Sequence, residues 1–153
     1  MPPLDPPTTI EQLLNVIANR FEDASLFYGH GTDNAWDEAV MLVLHVLQLP
    51  MDSSSEVAAQ PVTLSQCQAC DTLMQQRIDT QKPLAYLIHR AWFMGLEFYV
   101  DERVIVPRSP FAEWIDQQFM PWVEPASVTR VLDLCTGSGC MAIAAALRFP
   151  DAH

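Results

Sequence analysis

Val131-Leu132-Asp133-Leu134-Cys135-Thr136-Gly137-Ser138-Gly139-Cys140 runs directly into Met141-Ala142-Ile143-Ala144-Ala145-Ala146-Leu147. A short apolar run, a glycine turn and an alanine-rich apolar stretch predict strand, loop and helix in that order. An α/β sheet opens a nucleotide-type cofactor site in this way. Small residues let the backbone approach the ligand, and amides at the helix start face it. The spacing predicts a strand over 130–134 and a helix over 139–149. One parallel strand with one helix cannot bury both faces of a sheet. The segment is therefore expected to be poorly ordered, or to owe its order to contacts with the other helices or another chain.

Upstream, the pattern is helical. Thr8-Thr9-Ile10-Glu11 reads as a capping box. Behind it Ile10, Leu13, Leu14, Ile17 and Phe21 recur at helical spacing and predict a helix over 9–23. Tyr28-Gly29-His30-Gly31-Thr32 reads as a turn, and Asn34 as the cap of a helix over 35–49. Asp37 and Glu38 suit the first turn of that helix, whose apolar residues cover most faces and predict burial, and Pro50 is expected to stop it. Thr63 with Gln66 predicts a second capping box and a helix over 64–79. Ala91 to Val100, aromatic and β-prone around Gly95, predicts a hairpin. Val104-Ile105-Val106 predicts a short strand, and Pro110 to Met120 a further helix.

The formal net charge of −11 is unevenly placed. Residues 1–80 carry 11 acids against Arg20 and Arg77, while residues 81–153 carry 8 acids against 6 bases. Such a balance argues against direct binding to nucleic acid, whose phosphates attract Lys and Arg. It suits a basic protein partner or serves solubility alone. The start, with four prolines in seven residues, has no signal-peptide character and reads as disordered over 1–8. The longest apolar stretch, Ala39 to Leu49, is too short to span a bilayer, which needs about 20 residues. Four cysteines without a secretion signal point to free thiols in a reducing cytoplasm.

Gly137-Ser138-Gly139-Cys140-Met141-Ala142 fits G-x-G-x-x-A, a form of the dinucleotide fingerprint. Asp133, four residues before Gly137, points elsewhere. A carboxylate there would repel a pyrophosphate but could receive loop amides or a cationic ligand. Three readings stay open on this segment: S-adenosylmethionine, with its ammonium and sulfonium; an aspartate that braces a tight turn; and NAD.

Longer stretches narrow the choice. Pro83-Leu84-Ala85-Tyr86-Leu87, then Gly95-Leu96-Glu97-Phe98-Tyr99-Val100-Asp101-Glu102-Arg103-Val104-Ile105-Val106-Pro107-Arg108, then the glycine loop, resemble the family of protein glutamine methyltransferases. Those enzymes methylate the side-chain amide of one glutamine in a target protein. Pro107-Arg108-Ser109-Pro110-Phe111-Ala112-Glu113 departs from the Pro-Arg-Pro-Glu-Thr-Glu motif of the branch that modifies peptide release factors. It resembles the branch that modifies protein three of the large ribosomal subunit. Tyr28 to Ala39 and Cys135 resemble the same branch.

The resemblance implies an α + α/β architecture. A helical substrate-recognition domain would span 9–85, a β-hairpin bridge 86–107, and the first βα unit of an incomplete Rossmann-like methyltransferase domain 108–153. It implies S-adenosyl-L-methionine as cofactor, held by Asp133, Cys135, Thr136, Gly137, Ser138 and Gly139, with Arg108 near the site's edge. A basic ribosomal protein would be the partner, with no direct nucleic acid, membrane or metal. The family's Asn-Pro-Pro-Tyr motif lies beyond His153, so no catalytic residue is carried over onto this chain. A non-catalytic protein-binding module is the alternative reading, and methylation of release factors another.

Two further features have structural explanations. Cys67-Gln68-Ala69-Cys70 lacks the second ligand pair a zinc site needs and reads as two helix thiols. His30, between two glycines, could contact a substrate or simply occupy a turn; His45 reads as a core residue.

Overall fold

The computed structural model describes residues 9–153. The proline-rich stretch 1–8 lies outside the described residues. Two compact units follow one another: the first ends at Ile88, and the second runs from His89 to His153. The architecture is mixed, with helices and one two-stranded antiparallel sheet.

The first unit is helical. Helix α1 (Ile10–Asp23) buries Ile10, Leu13, Ile17, Ala18 and Phe21 on one stripe. Its cap is Thr9, whose hydroxyl accepts from the Gln12 amide at 3.3 Å, one residue later than the capping-box reading from Thr8. Helix α2 (Ala35–Leu47) is capped by Asn34, whose side chain accepts from the Asp37 amide at 2.8 Å. It ends before Pro50: Gln48 adopts a left-handed φ of 56°, and the Leu49 amide returns to the Leu44 carbonyl at 2.9 Å. Helix α3 (Leu64–Thr80) opens with the predicted capping box, Thr63 and Gln66 each bonding the other's backbone amide. These three helices pack on one another, with α4 (Leu84–Ile88) against α2 and α3. The sequence pattern gave no sign of α4, one short helix directly after Pro83.

In the second unit, β1 (Arg90–Phe93) and β2 (Leu96–Tyr99) form the predicted hairpin, with Phe93 opposite Leu96. Met94 and Gly95 turn the chain with φ of 51° and 77°, as a two-residue hairpin loop requires. Ala91, Phe93 and Phe98 are buried, while Arg90 grips Glu97 with two bonds of 2.7 and 2.8 Å.

Two predicted strands are absent. Val104 to Val106 form no ladder, because the Asp101 carbonyl accepts from the Val104 amide at 3.1 Å and folds the segment into a turn. Residues 130–134 are not in a named strand either. The β-prone sequence remains, and its backbone pairs near His153 without forming a ladder: the Val131 amide bonds the His153 carbonyl at 2.9 Å, and the His153 amide bonds the Thr129 carbonyl at 3.0 Å. One residue bonded to two residues that flank a third is the pattern of parallel neighbours.

The helix predicted over 110–120 is shorter, α5 (Phe111–Asp116), since Gln118 and Phe119 turn to left-handed φ of 52° and 58°. Helix α6 (Cys140–Arg148) packs on α5, with Arg148 paired to Asp116 at 2.6 Å. Among the described residues no helix is long and apolar enough to cross a membrane.

Candidate functional site

The glycine loop is built by backbone geometry. Cys135, Gly137 and Gly139 have φ of 61°, 59° and 80°. A Cβ on Gly139 would meet Thr136 and Ile143 only at ordinary contact, 3.7 and 3.8 Å. The left-handed φ, not lack of space, is therefore what calls for glycine there. The Thr136 hydroxyl donates to the Asp133 carbonyl at 3.0 Å, and the Gly139 amide to the Thr136 carbonyl at 2.9 Å. These bonds fold the loop back onto the end of the 130–134 segment. Gly139 then caps α6, whose first-turn amides have no carbonyl partner within the helix.

Asp133 is half-buried, and its Oδ2 is buried with no hydrogen-bond partner. A buried carboxyl oxygen in that condition costs about 1–3 kcal/mol or more until a donor reaches it. It lines a mainly apolar cavity of about 240 Å³ with Phe111, Ile115, Leu132, Met141 and Ala142, among others. Of the residues predicted for the cofactor, Asp133 alone lines this cavity. Cys135, Thr136 and Gly137 are exposed, and Ser138 and Gly139 half-buried, on the loop beside it. Arg108 is exposed on the segment after Pro107 and does not line the cavity.

In the first unit, the Cys67-Cys70 pair is a core feature. Cys67, Cys70, Met74 and Arg77 form one buried stripe of α3. Burial pushes the Cys70 thiol up to about 12, with a smaller push from Cys67, which leaves it inert near neutral pH. Among the described residues no three or more His, Cys, Asp or Glu side chains are grouped to hold a metal ion.

One charged pair escaped the sequence reading. Glu38 and Arg77 are each 2% exposed, and the Arg77 Nε donates to Glu38 Oε1 at 2.6 Å. Arg77 Nη2 also donates to the Phe27 carbonyl at 3.0 Å. The signal was present in the spacing. Arg77 continues the stripe of Cys67, Cys70 and Met74, and Glu38 falls among Ala35, Ala39 and Leu42. Glu38 is thus a core residue and no part of the acidic surface, whereas Asp33 and Asp37 are exposed.

No family model matches the chain. Curated relatives do. The chain is 48% identical over 146 residues to the ribosomal protein uL3 glutamine methyltransferase of Bordetella pertussis, covering 95% of this chain and 49% of that protein. It is 48% identical to the protein of the same name from Burkholderia pseudomallei, covering 94% of this chain and 47% of the relative. With the Neisseria gonorrhoeae protein of that name the identity is 46%, over 95% and 49%. The resemblance read from the motifs, to protein glutamine methyltransferases and to the branch named for large-subunit protein three, is therefore shown. The chain spans about half the length of the curated relatives it matches.

Proposed function

We propose that this chain is the substrate-binding and donor-loop portion of an S-adenosylmethionine-dependent methyltransferase that modifies a glutamine side chain of ribosomal protein uL3. The observation that carries the reading is identity of 46–48% across nearly the whole chain to three proteins named for that activity. The order helical unit, hairpin, glycine loop is consistent with it, as is the parallel pairing of Thr129–Val131 with His153, the first rung a Rossmann-like sheet would need.

The residues present fit the cofactor. The unmet Asp133 Oδ2 offers an acceptor to a cationic group, and Cys135 to Gly139 present backbone with little side-chain bulk. Asp133 and that loop would hold S-adenosylmethionine, with Arg108 at the edge. When bound, the cofactor supplies an electrophilic methyl group.

An amide nitrogen is a weak nucleophile because its lone pair is delocalised into the carbonyl. The enzyme's work is to align it, and orientation of this kind is worth up to about 7–11 kcal/mol. This chain's residues serve the donor side of that alignment, while the helical unit would capture the protein. Its acidic surface, Asp33 and Asp37 included, suits a basic ribosomal protein in the cytoplasm.

The test is transfer of labelled methyl to purified uL3 by the whole protein that carries this chain. The label should appear on a glutamine, and Asp133→Asn should weaken donor affinity about ten- to hundredfold. Label on another residue type, or donor affinity unchanged by Asp133→Asn, would overturn the reading.

A further inference from the structure

The loop from Phe27 to Thr32 covers a narrow cleft lined by Phe27, Tyr28, His30, Thr32, Glu38 and Arg77, among others. Two donors there are buried and unmet, Arg77 Nη1 and the Tyr28 hydroxyl. Arg77 is held in place: its Nε is committed to Glu38 and its Nη2 to the Phe27 carbonyl. Glu38 is braced in turn, its Oε2 accepting from the Thr32 hydroxyl at 3.4 Å. The Nη1 edge of a fixed guanidinium is what remains. Burial first, and Glu38 second, push the Tyr28 phenol above its ordinary value, so it keeps its proton and stays a donor.

Each unmet group costs about 1–3 kcal/mol. The cleft is too narrow for a water molecule, so solvent cannot serve these donors until the loop shifts. Phe27 and Thr32 anchor the two ends of the loop, so the tip between them is the part that can shift. Gly29 and Gly31, on either side of His30, sit at φ of 101° and 106°, where glycine moves freely. Charge selects the occupant. Arg77 is already offset by Glu38, and the unit around it is acidic, so an anion gains little here. Two donors without a net positive field complement a neutral acceptor.

We propose that this cleft is a subsite for an amide carbonyl of a bound polypeptide, which accepts from Arg77 Nη1 and the Tyr28 hydroxyl as residues 29–31 shift between the anchors Phe27 and Thr32. The proposal rests on the reading of the chain as part of a protein-modifying enzyme. It adds the residues that grip the protein substrate.

The experiment is titration calorimetry of the chain with purified uL3, wild type against Tyr28→Phe, with the melting temperature of each. The hydroxyl has no partner in the free chain, so Tyr28→Phe should leave Tm unchanged or raise it. The Kd for uL3 should rise about three- to tenfold. An unchanged Kd, with or without a fall in Tm, overturns the subsite while leaving the protein-substrate reading in place. No binding by the wild-type chain overturns both.

Discussion

Helices α1 to α3 bury Leu13, Ile17, Phe21, Leu42 and Met74 completely, and where they bury charge they pair it, Glu38 with Arg77. The second unit buries Phe93, Val100, Val106 and Ile115 but leaves other large apolar residues in solvent. Leu132 is 80% exposed and Leu134 74%, and Ile105 and Trp122 are also largely in solvent. The first unit supplies its own partners. The second carries more apolar surface than its own elements cover, which in folded proteins marks a surface of contact. Sequence alone does not separate these cases: Val131, Leu132 and Leu134 are as apolar as the residues that α2 buries. What differs is the number of neighbours each finds.

The contrast breaks most directly at the buried pair. Glu38→Ala leaves Arg77 uncompensated in the core and should cost about 3–5 kcal/mol of unfolding free energy in a urea titration. A loss under 1 kcal/mol would mean that the pair is solvated and the first unit looser than described. Matched leucines come next. Leu13→Ala should cost about 2–5 kcal/mol, whereas Leu132→Ala should stay within about 0.5 kcal/mol. Comparable losses would show that 130–134 is packed in solution. The smallest effect near neutral pH lies at Cys70. Its thiol ionises only at about 12 when folded, against about 8.5 for a free thiol. The unfolded chain therefore releases this proton first, and stability should be intact below pH 8 and fall as pH rises toward 12. Replacing Cys70 by Ala should flatten that slope in an alkaline series of melts.

Much of the first unit was legible because its signals are local. Thr63 with Gln66, Asn34, and the repeat of Ile10, Leu13, Ile17 and Phe21 each specify structure within one or two turns. The hairpin was legible from Gly95 for the same reason. The failures are non-local. A strand needs a partner, and the partners of 104–106 and 130–134 cannot be read from propensity. The Glu38–Arg77 pair joins residues 39 apart and had to wait for the packing of α2 on α3. In the glycine loop, the order Asp133 then Gly137 and Gly139 was legible. The orphaned Asp133 oxygen was not, since it depends on what surrounds that side chain.

Under the proposed function the helical unit would take the protein partner, and the glycine loop of the second unit the methyl donor. Calorimetric titration of this chain with uL3 and, separately, with S-adenosylmethionine tests that division in one experiment. The expected result is measurable heat and a defined Kd for uL3, with weak or undetectable binding of the donor. Donor affinity equal to that of the whole protein, or donor binding without uL3 binding, would contradict it.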